Sequence, residues 1–225
     1  MSSQCTVDSD EDECRLPADT LLILQQFLHE KGVREKLEQV GEDTQSGFEE
    51  NWQLSQFWYN SETKEKLTFV VKSINADLEL AGTESYVALV SCPSLYHHVK
   101  DTSKNVTLFE FDERFASIGS DFHHFDYNRA VEDDYLDIFK NKFDVIIADP
   151  PFLSEECIEK ISIVVRKIAK TKCKIILCSG YAVHEWATKY LSLDLYNFKP
   201  EHERNLGNEF SSYANFNLDD VLQKM

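Results

Sequence analysis

Apolar positions along the chain begin at helical spacing and then switch to short buried runs. Leu21, Leu24, Phe27 and Leu28 fall on one helical face behind an Asp19 or Thr20 cap. Residues 39–47 are polar and carry two glycines, which predicts a loop. A second helix is expected with Ser61 as its cap, burying Leu67, Val70, Val71 and Ile74 at three- and four-residue spacing. Runs at 86–91, 106–111, 143–148 and 174–178, with a weaker one at 122–125, then read as strands. Helices are expected between several of them. A short one follows Cys92-Pro93-Ser94. One opens at Ser154 with Glu155 and Glu156 in its first turn and carries Ile158, Ile161, Val165 and Ile168 on one side. A third spans 181–191.

Two final strands, 193–198 and 210–216, are joined by a polar loop without a helix, which predicts an antiparallel hairpin at one edge. Strands alternating with helices imply a mostly parallel sheet covered on both faces. The expectation is a Rossmann-like α/β domain that binds ligands at the carboxyl ends of its strands. The domain reading is an acidic tail over 1–16, a helical extension with an aromatic segment over 17–60, and the α/β domain over 61–225.

Composition narrows the function. At 225 residues with 42% hydrophobic and 28% charged content, the chain suits one globular domain plus a modest extension. The aliphatic runs at 21–24 and 145–148 are far too short to span a bilayer, and the polar, acidic start lacks the form of a secretory signal. A soluble cytoplasmic protein is expected. Net charge is −17, and five acids at positions 8 and 10–13 crowd the tail. Such a field repels nucleic acid at long range and favours a basic protein partner. The six cysteines form no Cys-x-x-Cys pair, and the neighbouring histidines at 97–98 and 123–124 would point to opposite faces of a strand. No metal is expected.

Candidate chemistry gathers at Asp149-Pro150-Pro151-Phe152, directly after the 143–148 run. Proline fixes φ and lacks an N–H, so the Asp149 and Pro150 carbonyls are held as acceptors beside the Asp149 carboxylate. Phe152 adds a flat apolar face. Together they suit an N–H-bearing group oriented by two acceptors and a ring.

That tetrapeptide resembles the Asp/Asn-Pro-Pro-Phe/Tyr motif of amino-methyltransferases acting on adenine, cytosine, glutamine or lysine nitrogens. The resemblance implies a class I S-adenosylmethionine-dependent methyltransferase with a seven-stranded sheet, releasing S-adenosylhomocysteine, with Asp149, Pro150 and Phe152 at the catalytic centre. It implies a cofactor turn at Ser91 to Pro93, although that turn lacks the glycines usual in the class. It also implies ribose recognition by Glu110 first and Asp112 second, and an adenine contact at Asp126.

Further segments sharpen it: 50–59 (Asn51-Trp52-Gln53-Leu54-Ser55-Gln56-Phe57-Trp58-Tyr59 after Glu50), 109–115, 148–157 and 204–210. In this order they resemble a eukaryotic family first labelled N6-adenine methyltransferases and now regarded as lysine methyltransferases of translation elongation factor 1-alpha. The resemblance runs from about 17 to 217. It implies that elongation factor as partner, with nucleic acid and membrane disfavoured, and a monomer. The segment with Trp52, Phe57 and Trp58 either closes over the cofactor or forms the lysine channel, or these three rings anchor the core, and Tyr213 with the 200–209 loop shapes substrate access. The motif itself accommodates a lysine, held by cation–π contact, or a flipped adenine, and the glycine-free turn leaves a non-catalytic binding module as a further alternative. A lysine must first lose a proton, at roughly 4–5 kcal/mol from its usual pKa at pH 7, and a water or a nearby tyrosine is the expected acceptor.

Overall fold

Four parallel strands form the middle of the sheet because their residues are apolar on both faces. The computed structural model describes residues 50–51, 54–204 and 209–225. The expected helix at 17–28 and the acidic tail lie outside them. In chain order come α1 (Ser61–Leu80), β1 (Tyr86–Val90), α2 (Tyr96–Lys100), β2 (Asn105–Glu110), β3 (Phe122–His124) and β4 (Phe143–Ala148). They are followed by α3 (Glu155–Ile168), β5 (Ala169–Gly180), α4 (His184–Leu191), β6 (Asp194–Tyr196), β7 (Phe210–Ala214) and α5 (Leu218–Leu222). Short 3₁₀ turns fill several connections, among them Pro93–Leu95 before α2 and Tyr127–Val131 after β3.

The sheet order is β3-β2-β1-β4-β5-β7-β6. All pairings from β3 to β5 are parallel, and β7 runs antiparallel to both β5 and β6. This is the expected Rossmann-like sheet with an antiparallel pair at one edge. The second strand of the closing pair, not the first, inserts against β5. The Tyr213 and Ala214 side chains continue the two cores, whereas Asp194 and Leu195 of β6 are exposed. Apolar burial therefore decides which strand goes inside.

Strand alternation divides the core in two. Ala88, Val90, Ile146, Ala148, Leu177 and Tyr213 face α3 and α4. Val87, Leu89, Val145, Ile147, Ile176 and Ala214 face α1, which contributes Leu67, Val70 and Val71, all fully buried. Each such side chain contributes about 1.5–3 kcal/mol on leaving water.

The starts of α1 and β5 differ from the sequence pattern, and the other strand ends shift by at most two residues. The α1 cap is Asn60, whose side chain accepts from Thr63 N–H at 2.8 Å, so Ser61 is the first helical residue. β5 starts at Ala169, five residues early, because that polar stretch pairs with Phe143 across a register shift. Ser154 caps α3 as expected, accepting from Cys157 N–H.

The chain steps outward from β1 to β2 and β3, and returns to β4 on the other side of β1. The ends of β1 and β4 are thus the topological switch point, where an open parallel sheet leaves a crevice. Asp149 N–H donates to Val90 O at 2.9 Å and ties these ends together.

Candidate active site

The crevice is floored by the turn after β1. Ser91 takes a left-handed conformation at φ 55°, and its N–H donates to Phe109 O. A non-glycine residue pays roughly 1–2 kcal/mol there, yet the turn forms, so the missing glycines do not prevent a tight exit from β1. Pro93 begins the following 3₁₀ turn and is buried. Cys92 Sγ lies 3.4 Å from Ile147 O. It is free and buried, as are Cys157, Cys173 and Cys178.

At the end of β2, Glu110 is buried, and its hydrogen bonds converge on one oxygen. Oε1 accepts from Phe111 N–H at 3.0 Å, Asp112 N–H at 3.1 Å and Gln56 Nε2 at 3.2 Å. Among the described residues none donates to Oε2. Burial raises the Glu110 pKa, and the donors on Oε1 work against that rise. Asp112 lies two residues on. Burial opposes its charge too, but the Arg114 guanidinium and backbone N–H and the Gln56 amide outweigh it and hold this carboxyl below its usual range. Gln56 is 6% exposed and bridges the two acids, and its own oxygen accepts from Arg114 Nη2 at 3.2 Å. Phe111, 50% exposed, offers a ring beside the pair.

At the end of β4, Asp149 is half-buried, on the side of the sheet occupied by α1. Its Oδ2 accepts from the Tyr59 hydroxyl at 2.6 Å. Among the described residues none donates to Oδ1. Burial pushes the Asp149 pKa up to about 7, the Tyr59 bond pulls it down, and the Glu110 charge adds to the rise. Pro150 is buried, while the Phe152 ring is 47% exposed and meets Tyr127 edge-on at 6.1 Å. Behind this turn, the end of β5 comes so close that a Cβ on Gly180 would lie 2.8 Å from Leu153 Cδ1.

A strap formed by residues 56–60 carries Gln56 and Tyr59 over the edge. Tyr59 forms an antiparallel bridge with His202, Asn60 N–H donates to Glu201 O at 3.0 Å, and Glu203 N–H donates to Trp58 O at 2.8 Å. The His202 ring sits 5.0 Å from Tyr59, 6.3 Å from Phe57 and 4.5 Å from Phe210. Burial drops its pKa to about 4, so this covering imidazole is neutral at pH 7.

Several expected residues thus meet at one edge: Ser91 and Pro93 after β1, Glu110 and Asp112 at β2, and Asp149, Pro150 and Phe152 after β4. Asp126 caps the 3₁₀ turn after β3, accepting from Asn128 N–H at 2.9 Å, and its own N–H donates to the Tyr135 hydroxyl. Trp58 packs on Phe115 in the α1-side core, and Phe57 stands against His202. Trp52 lies outside the described residues. Tyr213 is fully buried in the other core, with its hydroxyl donating to Gly180 O at 3.3 Å, and it is not brought to the Tyr59–Asp149 pair. Gln56, Tyr59 and His202 were not among the expected site residues. The aromatic segment pointed to the strap, but no local pattern singles out its one amide and one phenol.

The donor set fits S-adenosylmethionine on the structure's own terms. Glu110 is a buried carboxylate with one oxygen anchored and one open to accept from a diol, beside an exposed ring and a tight turn. Among the described residues no group of three or more His, Cys, Asp or Glu is gathered to hold a metal, and no helix is long and apolar enough to cross a membrane.

A sheet in this order with one reversed strand has the Rossmann-like fold of the class I S-adenosylmethionine-dependent methyltransferases, and it sets the acidic β2 end and the Asp-Pro-Pro-Phe turn on either side of the switch point. The chain belongs to the family described as probable N6-adenine methyltransferase, whose family model matches residues 50–218. It is 46% identical over 222 residues to the Drosophila melanogaster protein-lysine N-methyltransferase CG9154, covering 95% of this chain and 99% of that protein. It is 39% identical over 216 residues to the Homo sapiens EEF1A lysine methyltransferase 1, covering 93% and 95%. A Caenorhabditis elegans protein-lysine N-methyltransferase, M142.8, is 38% identical over 219 residues, covering 92% and 97%.

Proposed function

We propose that this enzyme methylates a lysine side chain of translation elongation factor 1-alpha. The observation that carries the reading is the Asp149 carboxylate, anchored through Oδ2 and open at Oδ1, beside the exposed Phe152 ring. The names of its relatives, at 39–46% identity over nearly the whole chain, support lysine and this factor as target. The net charge of −17 adds support for a basic protein partner over nucleic acid. A cytoplasmic monomer completes the reading, and both carboxylates with their donors come from one chain.

Bound S-adenosylmethionine supplies an electrophilic methyl group: the nitrogen lone pair forms the new N–C bond while the C–S electrons return to sulfur, leaving S-adenosylhomocysteine. The protein's part is to hold the partners and manage charge. Glu110 through Oε2, with Asp112 beside it, would accept from the ribose hydroxyls. Asp126 would serve the adenine end, and Ser91 and Pro93 would shape the turn beneath it. Asp149 Oδ1 and the Pro150 carbonyl would orient the target nitrogen, with Phe152 flanking its methylene stem or cation. A lysine must arrive or become neutral. Tyr59 cannot take that proton, since burial and the Asp149 charge raise its pKa well above the usual value and keep it a donor. Asp149, pushed up to about 7, is matched to accept the proton near neutral pH.

Adenine is the second reading, favoured by the family's description. Transfer of labelled methyl is measured to purified elongation factor 1-alpha and to oligonucleotides, with wild type and Asp149→Ala. Label is expected in the protein and lost in the variant. Label confined to the oligonucleotides would overturn the lysine reading.

A further inference from the structure

Asp149 is positioned from a part of the chain that lies outside the sheet altogether. The Tyr59 hydroxyl reaches it across 90 residues of sequence at 2.6 Å. Tyr59 is 0% exposed, and its place is over-determined. Asn60, the next residue, caps α1, the Tyr59 backbone bridges His202, and the Tyr59 ring rests on that imidazole at 5.0 Å. Asp149, by contrast, follows a strand end and has no other side-chain donor among the described residues. Its orientation therefore depends on Tyr59.

We propose that Tyr59 is the positioning residue of methyl transfer, holding Oδ2 so that Oδ1 alone faces the target nitrogen. This rests on the reading of Asp149 as the nitrogen-orienting group. Three consequences follow. Asp149 offers one carboxylate oxygen to the substrate, with any second acceptor coming from the backbone. Its rotamer is set before substrate arrives, so orientation is not lost at the moment of reaction. The phenol also favours the charged carboxylate over the neutral acid, against the burial that works the other way.

The other groups facing Asp149 do not replace this effect. Cys92 after β1 and Cys178 in β5 have thiol pKa values raised by burial and by the Asp149 charge itself, so both stay neutral. Glu110 at the end of β2 repels the charge. His202, packed behind Tyr59, is neutral at pH 7.

The test is Tyr59→Phe, which keeps the ring and removes the hydroxyl. In the variant kcat is expected to fall about 10- to 100-fold, as for a misplaced reacting group, while the S-adenosylmethionine Kd measured by calorimetry stays within about twofold. The acidic limb of the pH–rate profile moves to higher pH, because losing a donor to the carboxylate raises its pKa. The same upward shift is expected without cofactor or substrate, in a carboxyl carbon-13 titration of Asp149 assigned by its loss in Asp149→Asn. An unmoved Asp149 titration overturns the proposal, as does unchanged kcat on whichever substrate wild type methylates. Loss of cofactor binding or of the thermal unfolding transition overturns it too, making Tyr59 a packing residue. The titration needs no substrate, so it separates this outcome from a failure of the lysine reading, which shows as wild type leaving elongation factor 1-alpha unlabelled.

Discussion

Glu110 and Asp149 stand at the same edge of one sheet, at the ends of β2 and β4 on either side of β1, and they are held in opposite ways. Three donors converge on Glu110, two of them from the backbone, and its neighbour Asp112 is paired with Arg114. Asp149 takes one side-chain donor, the Tyr59 phenol. Burial raises the pKa of both. The difference suits their tasks. A carboxylate that binds a diol needs fixed geometry, and redundancy supplies it. A carboxylate that receives a nitrogen carrying a proton needs a poised charge, and few donors leave it near neutrality.

The largest expected effect breaks the Asp149 end. Asp149→Asn keeps an acceptor for Tyr59 but removes the charge and turns an amide NH2 toward the target nitrogen, and methyl transfer is expected to fall by about a thousandfold or more. Stability moves the other way. The folded-state pKa, about 7, lies above the ordinary carboxylate value, so the native state holds more protons than the unfolded chain between about pH 4 and 7. Wild type therefore loses stability as pH rises through that window. The variant, which does not titrate there, is expected to be more stable by about 1–3 kcal/mol at pH 8 and by nothing near pH 4. Denaturant melts at the two pH values check this, and a variant less stable at pH 8 would contradict the buried-charge account.

A smaller effect is expected at the cofactor end. Gln56→Ala removes one of three donors to Glu110 and the bridge to Asp112 while the backbone donors remain. Losing hydrogen bonds to charged groups on this scale predicts a cofactor Kd weaker by about 3- to 20-fold, with kcat little changed. A fall in kcat without a change in Kd would show that Gln56 serves the transfer end instead. The smallest effect is expected behind Phe152. Gly180→Ala forces the flexible end of Leu153 to move by some tenths of an ångström, from a 2.8 Å approach. A loss of about 1 kcal/mol or less in stability with a two- to fivefold drop in kcat, about 0.4–1 kcal/mol, is expected if that turn sets the Phe152 ring.

Much of the frame was legible because it is local. The buried run at 143–148, the Ser154 cap and the Asp-Pro-Pro-Phe turn each depend on residues within a few positions of one another. The acid after β2 was legible for the same reason. The turn at Ser91 is less legible: it lacks the glycine that usually supplies positive φ, yet its backbone adopts φ 55° on serine. The resemblance places Tyr213 at the substrate entrance, whereas strand parity turns it into the core opposite Leu177.

The sequence by itself determined the strands, the order in which they are laid down, and the carboxylates at their ends, since periodicity and turn chemistry act over a handful of residues. Only the tertiary structure decided that β7 inserts between β5 and β6 and that Tyr59 and Gln56 reach Asp149 and Glu110. Those choices depend on which side chains can be buried together and on donors 54 to 90 residues from their acceptors. No window along the chain contains both partners.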